Sequence, residues 1–152
     1  MISVRNRILT AALAEMSEKI RDNVSYPIAI QTVTREPIPL GSGQAFEYPA
    51  IILLPRNEKI EVSNATQERF VWTWTLQGQL TAVDAADMQR KADPFLSTVK
   101  AFARLISGCD TALLSAEVPD AADIQLVIGD DGKSAICDVP LVVRYVVTKG
   151  SY

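Results

Sequence analysis

The sequence predicts an α+β fold, a mixed and mostly antiparallel sheet with two long helices packed on one face. Three observations predict it. Residues 3–21 and 85–107 carry apolar side chains at helical spacing. Residues 70–81 alternate with a period of two, that of a half-buried strand. A Gly-Asp-Asp-Gly run at 129–132 separates two further alternating stretches and reads as a hairpin turn. The expected order is α-β-β-(β)-β-α-β-β in one domain spanning 1–152.

The first helix rests on Val4, Ile8, Ala12, Met16 and Ile20, a stripe that Leu9 and Leu13 widen, with Ser3 as N-cap and Asp22-Asn23 as its stop. Residues 27–34, with Ile28 and Ile30 alternating with small or polar neighbours, read as a short strand. Residues 35–47 hold Pro37, Pro39, Gly41 and Gly43 and read as a long loop. Residues 50–54 are apolar without alternation, as in a strand covered on both faces. Residues 55–69 mix charges with turn formers, and only 59–62 look extended.

In the long strand Phe70, Trp72, Trp74, Leu76 and Leu80 share one face. At about 3.3 Å per residue it spans roughly 40 Å, about twice the usual strand, so it should outrun its core. Gly78 in its middle suggests a bulge or bend. Asp84 caps the second helix, whose stripe is Ala85, Met88, Ala92, Leu96, Val99, Ala103 and Ile106, flanked by Phe95 and Phe102. Pro94 predicts a kink or a restart there, and Gly108 a terminator. A stretch read as irregular leads to a strand at 124–128, the turn, and a strand at 135–147. Pro140 in that last strand requires an edge or a bulge.

Composition narrows function. The chain is 48% apolar and 22% charged, enough to bury a core. No apolar run approaches the roughly 18 residues that cross a bilayer. The N-terminal stretch, with Glu15, Glu18 and Lys19 close behind it, reads as an amphipathic helix of a protein made in the cytosol, not as a signal. There is no histidine, which removes the commonest general acid–base and metal ligand, and with it the usual nucleophile systems. Cys109 and Cys137 read as free thiols. Asp84 with Asp87, and Asp130 with Asp131, are the nearest approach to paired carboxylates, and helix-start and turn roles account for them. Gly41-Ser42-Gly43 lacks the remainder of any phosphate-binding motif. The expectation is no enzyme, no cofactor and no metal. Net charge is −3, but residues 108–138 carry seven acids against Lys133 alone. That local balance of −6 leaves +3 for the rest. No basic stripe of the kind that grips nucleic acid is present. Trp72 and Trp74 are read as core or subunit interface; a stacking platform for a binding module is the alternative of a different class.

Taken in sequence, the opening helix, "YPAIILLPRNEKIE", "RFVWTWTLQGQLTAVD", "ADPFLSTVKAFARLISG" and a closing "VPLVVRYVV" resemble the tail terminator or tail completion proteins of long-tailed bacteriophages, over nearly the whole chain. The resemblance implies a virion structural protein without catalytic residues. Six copies would close into a ring at the head-proximal end of the tail, end tube growth and offer a surface to the neck. Neck adaptors and head-closure proteins of similar size are the neighbouring alternative. The implied partners are further copies of the chain, the tail tube protein and a neck or connector protein. Genomic DNA would pass without specific binding, and no membrane is involved. Assembly would take place in the host cytoplasm and the product would sit in the virion. On this reading Trp72, Trp74, Arg35, Glu58 and Glu61 are interface candidates, and Asp130, Asp131 and Lys133 would line a channel.

Overall fold

A computed structural model describes residues 3–22, 27–35, 47–120 and 122–149. Two helices and six strands follow in the order α1 (Val4–Asp22), β1 (Thr32–Thr34), β2 (Ala50–Ser63), β3 (Gln67–Thr81), α2 (Ala85–Leu105), β4 (Leu113–Glu117), β5 (Leu126–Ile128) and β6 (Ser134–Thr148). The sheet order is β1-β2-β3-β6-β4, with β5 also paired to β6. Among the described residues only β1 and β2 run parallel, and the other pairs are antiparallel. The expected α+β class stands.

Both helices press on one face of the sheet and share a single core with it. Ile8, Leu9, Ala12 and Met16 of α1 and Met88, Phe95, Val99, Phe102 and Ala103 of α2 meet Ile51, Leu53, Trp72, Trp74 and Leu76, together with the odd-numbered residues of β6 from Ala135 to Val147. The helical stripe of α1 is the expected one, and Ser3 Oγ accepts from the N–H of Asn6 at 3.2 Å as its cap. In α2 the buried stripe turns toward Phe95, Thr98 and Phe102, leaving Leu96 half-buried and Ala85 exposed. The two phenyl rings have more apolar surface to hide than the alanines on the expected stripe.

Asp84 starts α2 as expected. Its Oδ1 accepts from the N–H of Asp87 at 2.8 Å, while Asp87 Oδ2 accepts from the N–H of Val83 at 3.0 Å. Two otherwise unpaired N–H groups are thus satisfied reciprocally, as in a capping box. Asp84→Ala should cost about 1 kcal/mol of stability in denaturant titration. The helix runs through Pro94 without a restart. Beyond it, Gly108 takes φ +83°, a conformation open to glycine.

Several strand expectations change. The segment 27–34 gives Ile28 and Ile30 to the core, but only Thr32–Thr34 pair in the sheet. Residues 50–63 form one strand, not an apolar strand followed by a turn-rich stretch. Its first four residues are fully buried and its tail from Arg56 is exposed. Pairing with β3 keeps the charged half extended, and the irregularities fall within β2, between Pro55 and Glu58 and between Ile60 and Val62. Gly78 marks no bulge: β3 holds register with β6 from Gln67 to Thr81. Its role is close packing, because a Cβ there would lie 2.8 Å from Cys137 Sγ, Phe95 Cζ and Val99 Cγ2. The stretch read as irregular contains β4. Its five residues lack a clean alternation because the ladder to β6 slips between Leu113 and Ser115.

Pro140 sits in a strand with neighbours on both sides, yet at a position that asks for no second partner. On the side away from β3, β5 pairs with residues 135–137 and β4 with residues 142–145. The missing N–H therefore falls in the gap between them, a local edge. The β5–β6 turn forms where expected. Gly129 N–H donates to Ser134 O at 2.8 Å, and Gly132 adopts φ +69°. The loop expected at 35–47, with Gly41-Ser42-Gly43, lies outside the described residues apart from Arg35 and Glu47.

Candidate interaction surface

The distal end of the hairpin of β2 and β3 is exposed. Its turn is built by Asn64, whose Oδ1 accepts from the N–H groups of Thr66 at 3.0 Å and Gln67 at 2.8 Å. This short-range bonding closes the turn without glycine. Toward the turn Ile60 is 54% exposed and Val62 46%, so this end of the sheet carries apolar side chains that the chain leaves uncovered.

An open depression of about 620 Å³ lies where this hairpin meets the start of α1, lined by Ser3, Val4, Arg5, Glu58, Ile60, Glu68, Phe70, Tyr145 and Val147. Phe70 and Tyr145 stack with centroids 5.1 Å apart and planes 13° from parallel. Tyr145 Oη donates to Glu58 Oε2 at 2.5 Å, and the Arg5 guanidinium sits 3.4 Å from the same oxygen and 4.6 Å over the Trp72 ring. Burial, reinforced by the bond to Glu58, holds the Tyr145 phenol well above its ordinary pKa. A phenol so held stays protonated and serves as a fixed donor. Together these contacts order the hairpin against α1.

Glu61 pairs with Arg144 at 3.2 Å. Glu58 and Glu61, both interface candidates, are thus each already engaged by an arginine of the same chain. Arg35 stands exposed directly after β1. Trp72 and Trp74 do not join them at the surface. Both rings are fully buried and meet edge-to-face at 5.1 Å and 85°. Neither face is available to a partner, so the stacking platform is lost and the core alternative holds. Among the described residues their indole N–H groups meet no acceptor. Edge-to-face stacking, which sets a positive ring edge against a negative ring face, offsets part of that cost. Alternation had located the tryptophans on a buried face; which layer covered that face required the helices.

Asp130, Asp131 and Lys133 are exposed at the β5–β6 turn, where Asp131 Oδ1 accepts from the N–H of Lys133 at 2.8 Å. Asp130→Asn should move the melting temperature by no more than the equivalent of about 0.5 kcal/mol, as surface substitutions do. Among the described residues no group of three or more acids or cysteines could hold a metal ion. Cys109 and Cys137 are free, and burial pushes both thiols up to about 11, so neither is a reactive thiolate at neutral pH. No described helix is long and apolar enough to cross a membrane.

No protein-family profile and no curated protein sequence matches the chain. Its surface must be read from its own chemistry.

Two carboxylates tie the fold to pH. Asp110 receives Arg7 at 2.8 Å, joining α1 to the segment after α2. Asp87 pairs with Arg90, and with Lys91 at 2.9 Å. The Arg7 bond holds the Asp110 pKa below the usual carboxylate range, and the Val83 N–H bond followed by Lys91 does so for Asp87. A depressed folded-state pKa stabilises the fold above the unfolded value of about 3.9 and loses that contribution as pH falls through the folded value. The melting temperature should therefore drop as pH falls below about 4. Combining Asp87→Asn with Asp110→Asn should lower the plateau and flatten that acid limb; an unchanged limb would assign it to other groups.

Proposed function

We propose that the chain is a virion structural protein of a long-tailed bacteriophage, a tail terminator whose copies form a ring that caps the tail tube. The observation that carries the reading is the β2–β3 hairpin. Its distal half is fixed by pairing and ion pairs rather than left loose, and its apolar side chains, Ile60 and Val62, stay uncovered. A rigid edge with exposed apolar residues suits contact with another subunit far better than it suits turnover. The element order quoted for the resemblance, from α1 through the long β3 to the closing hairpin, supports the same reading. In this arrangement Arg35, Glu58 and Glu61 lie at or near subunit contacts, and the exposed Asp130, Asp131 and Lys133 face the channel. There their negative balance discourages passing DNA from sticking.

The direct test adds the chain to purified tail tube protein. Under this reading, amounts far below stoichiometric arrest tube growth, and electron micrographs show rings at one tube end. Tubes that lengthen at the unperturbed rate reject it. Rings that ignore the tube but bind the head connector would instead identify a neck adaptor.

A further inference from the structure

The two outer edges of the sheet fit each other. On one side β1 covers only Ala50–Ile52 of β2, which leaves the outer edge of β2 from Leu53 to Ser63 without a strand partner among the described residues. On the other side β4 is the last strand, and its outer edge is likewise unpaired among the described residues. Ladder partners carry the level of one edge across to the other. Leu113 pairs with Tyr145, Tyr145 with Phe70, and Phe70 with Ile60. Glu117 pairs with Val142 and Val142 with Thr73, whose Oγ1 donates to Asn57 O at 3.2 Å in the stretch between Pro55 and Glu58. β4 therefore stands level with the free part of β2, three antiparallel steps away, and runs opposite to it.

The side chains match at those levels. The β2 edge presents Arg56 and Lys59 beside exposed Ile60, with Arg35 just beyond β1. None of these cations has an ion pair among the described residues, whereas the acids Glu58 and Glu61 are occupied by Arg5 and Arg144. The β4 edge presents Leu114, 50% exposed, then Glu117 and, past the strand, Asp120. Lys100 and Arg104 of α2 share a groove with these two acids but form no ion pair with them.

We propose that β4 of one copy seats antiparallel along the free edge of β2 in the next, Glu117 beside Arg56 and Leu114 beside Lys59 and Ile60. With the two edges level and opposite in direction, a copy related by rotation presents its β4 to β2 head-to-tail, and on the ring reading that one contact repeats around the ring. Bulges and charges on both edges oppose indiscriminate strand pairing. Basic β2 repels basic β2 and acidic β4 repels acidic β4, so the head-to-tail pairing is the one the charges favour. The inference rests on the ring reading above and assigns its subunit contact.

The test measures sedimentation of the whole chain up to millimolar concentration for the unchanged protein, Arg56→Glu, Glu117→Arg and the double exchange. Each single reversal should weaken self-association at least about tenfold, and the double exchange should return it to within about threefold. Both positions are exposed, so melting temperatures should hold. In a Cys109→Ser background, Lys59→Cys with Leu114→Cys should oxidise to a ladder of covalent oligomers ending at the closed ring. Rings that persist unaltered in both single variants and yield no ladder overturn the edge contact and leave the ring reading standing. A chain that stays monomeric at millimolar concentration yet still arrests tube growth overturns the contact alone. Failure of both association and arrest rejects the two together.

Discussion

Trp74→Ala should lower folding stability by about 3–5 kcal/mol, the range for deleting a large aromatic from a packed core. The side chain is 1% exposed and wedged between the sheet and the helices, with Trp72 against it edge-to-face. Truncation would open a cavity in the shared core rather than trim a surface, and both helices rest on the same cluster. At roughly 2–4 °C per kcal/mol for a chain of this length, the loss should be plain in a thermal melt. Trp74→Phe should cost clearly less, since a phenyl ring keeps much of the apolar contact and removes a buried N–H that lacks an acceptor among the described residues. A loss below about 1 kcal/mol for Trp74→Ala would place the ring at the surface, against the packing described above.

Gly78→Ala should destabilise by about 1–3 kcal/mol although alanine is the better strand residue, because the added methyl meets three side chains at 2.8 Å. The backbone there lies in an ordinary strand ladder, so conformational freedom is not at issue. The missing Cβ is what lets Phe95 and Val99 of α2 reach the sheet. Pairing the substitution with Cys137→Ala should recover part of the loss by removing one of the three contacts, a coupling readable from a double-mutant cycle in urea. A neutral or stabilising Gly78→Ala would show that α2 has room to retreat.

The elements that were legible in the sequence are those whose own side chains repeat. The α1 stripe from Val4 to Ile20, the alternation of β3 and β6, the Asp84 cap and the Gly129–Gly132 turn are local signals, set by 3.6-residue and two-residue periods and by turn chemistry. Residues 56–63 gave no such signal, because a strand exposed on both faces has no reason to alternate. Pairing with β3, helped by the ion pairs to Arg5 and Arg144, holds it extended. β4 stayed hidden for a related reason, its five residues being broken by a slip in the ladder. Of the interface candidates, Glu58 and Glu61 proved to be tied to Arg5 and Arg144, pairings across 53 and 83 positions that no window along the chain contains.

From the residues alone came the class of fold, the two helices, the buried face of the long strand and the want of histidine chemistry, all properties of composition and short-range period. Tertiary structure alone decided that the tryptophans are core, that Gly78 is a close contact and not a bulge, and that Pro140 falls where its strand has a gap. It also set β4 and the distal half of β2 level on opposite sides of the sheet. The physical reason is that burial and strand adjacency are relations between distant parts of the chain. A local pattern states what a residue can do, and only the packed neighbours determine which of those things it does.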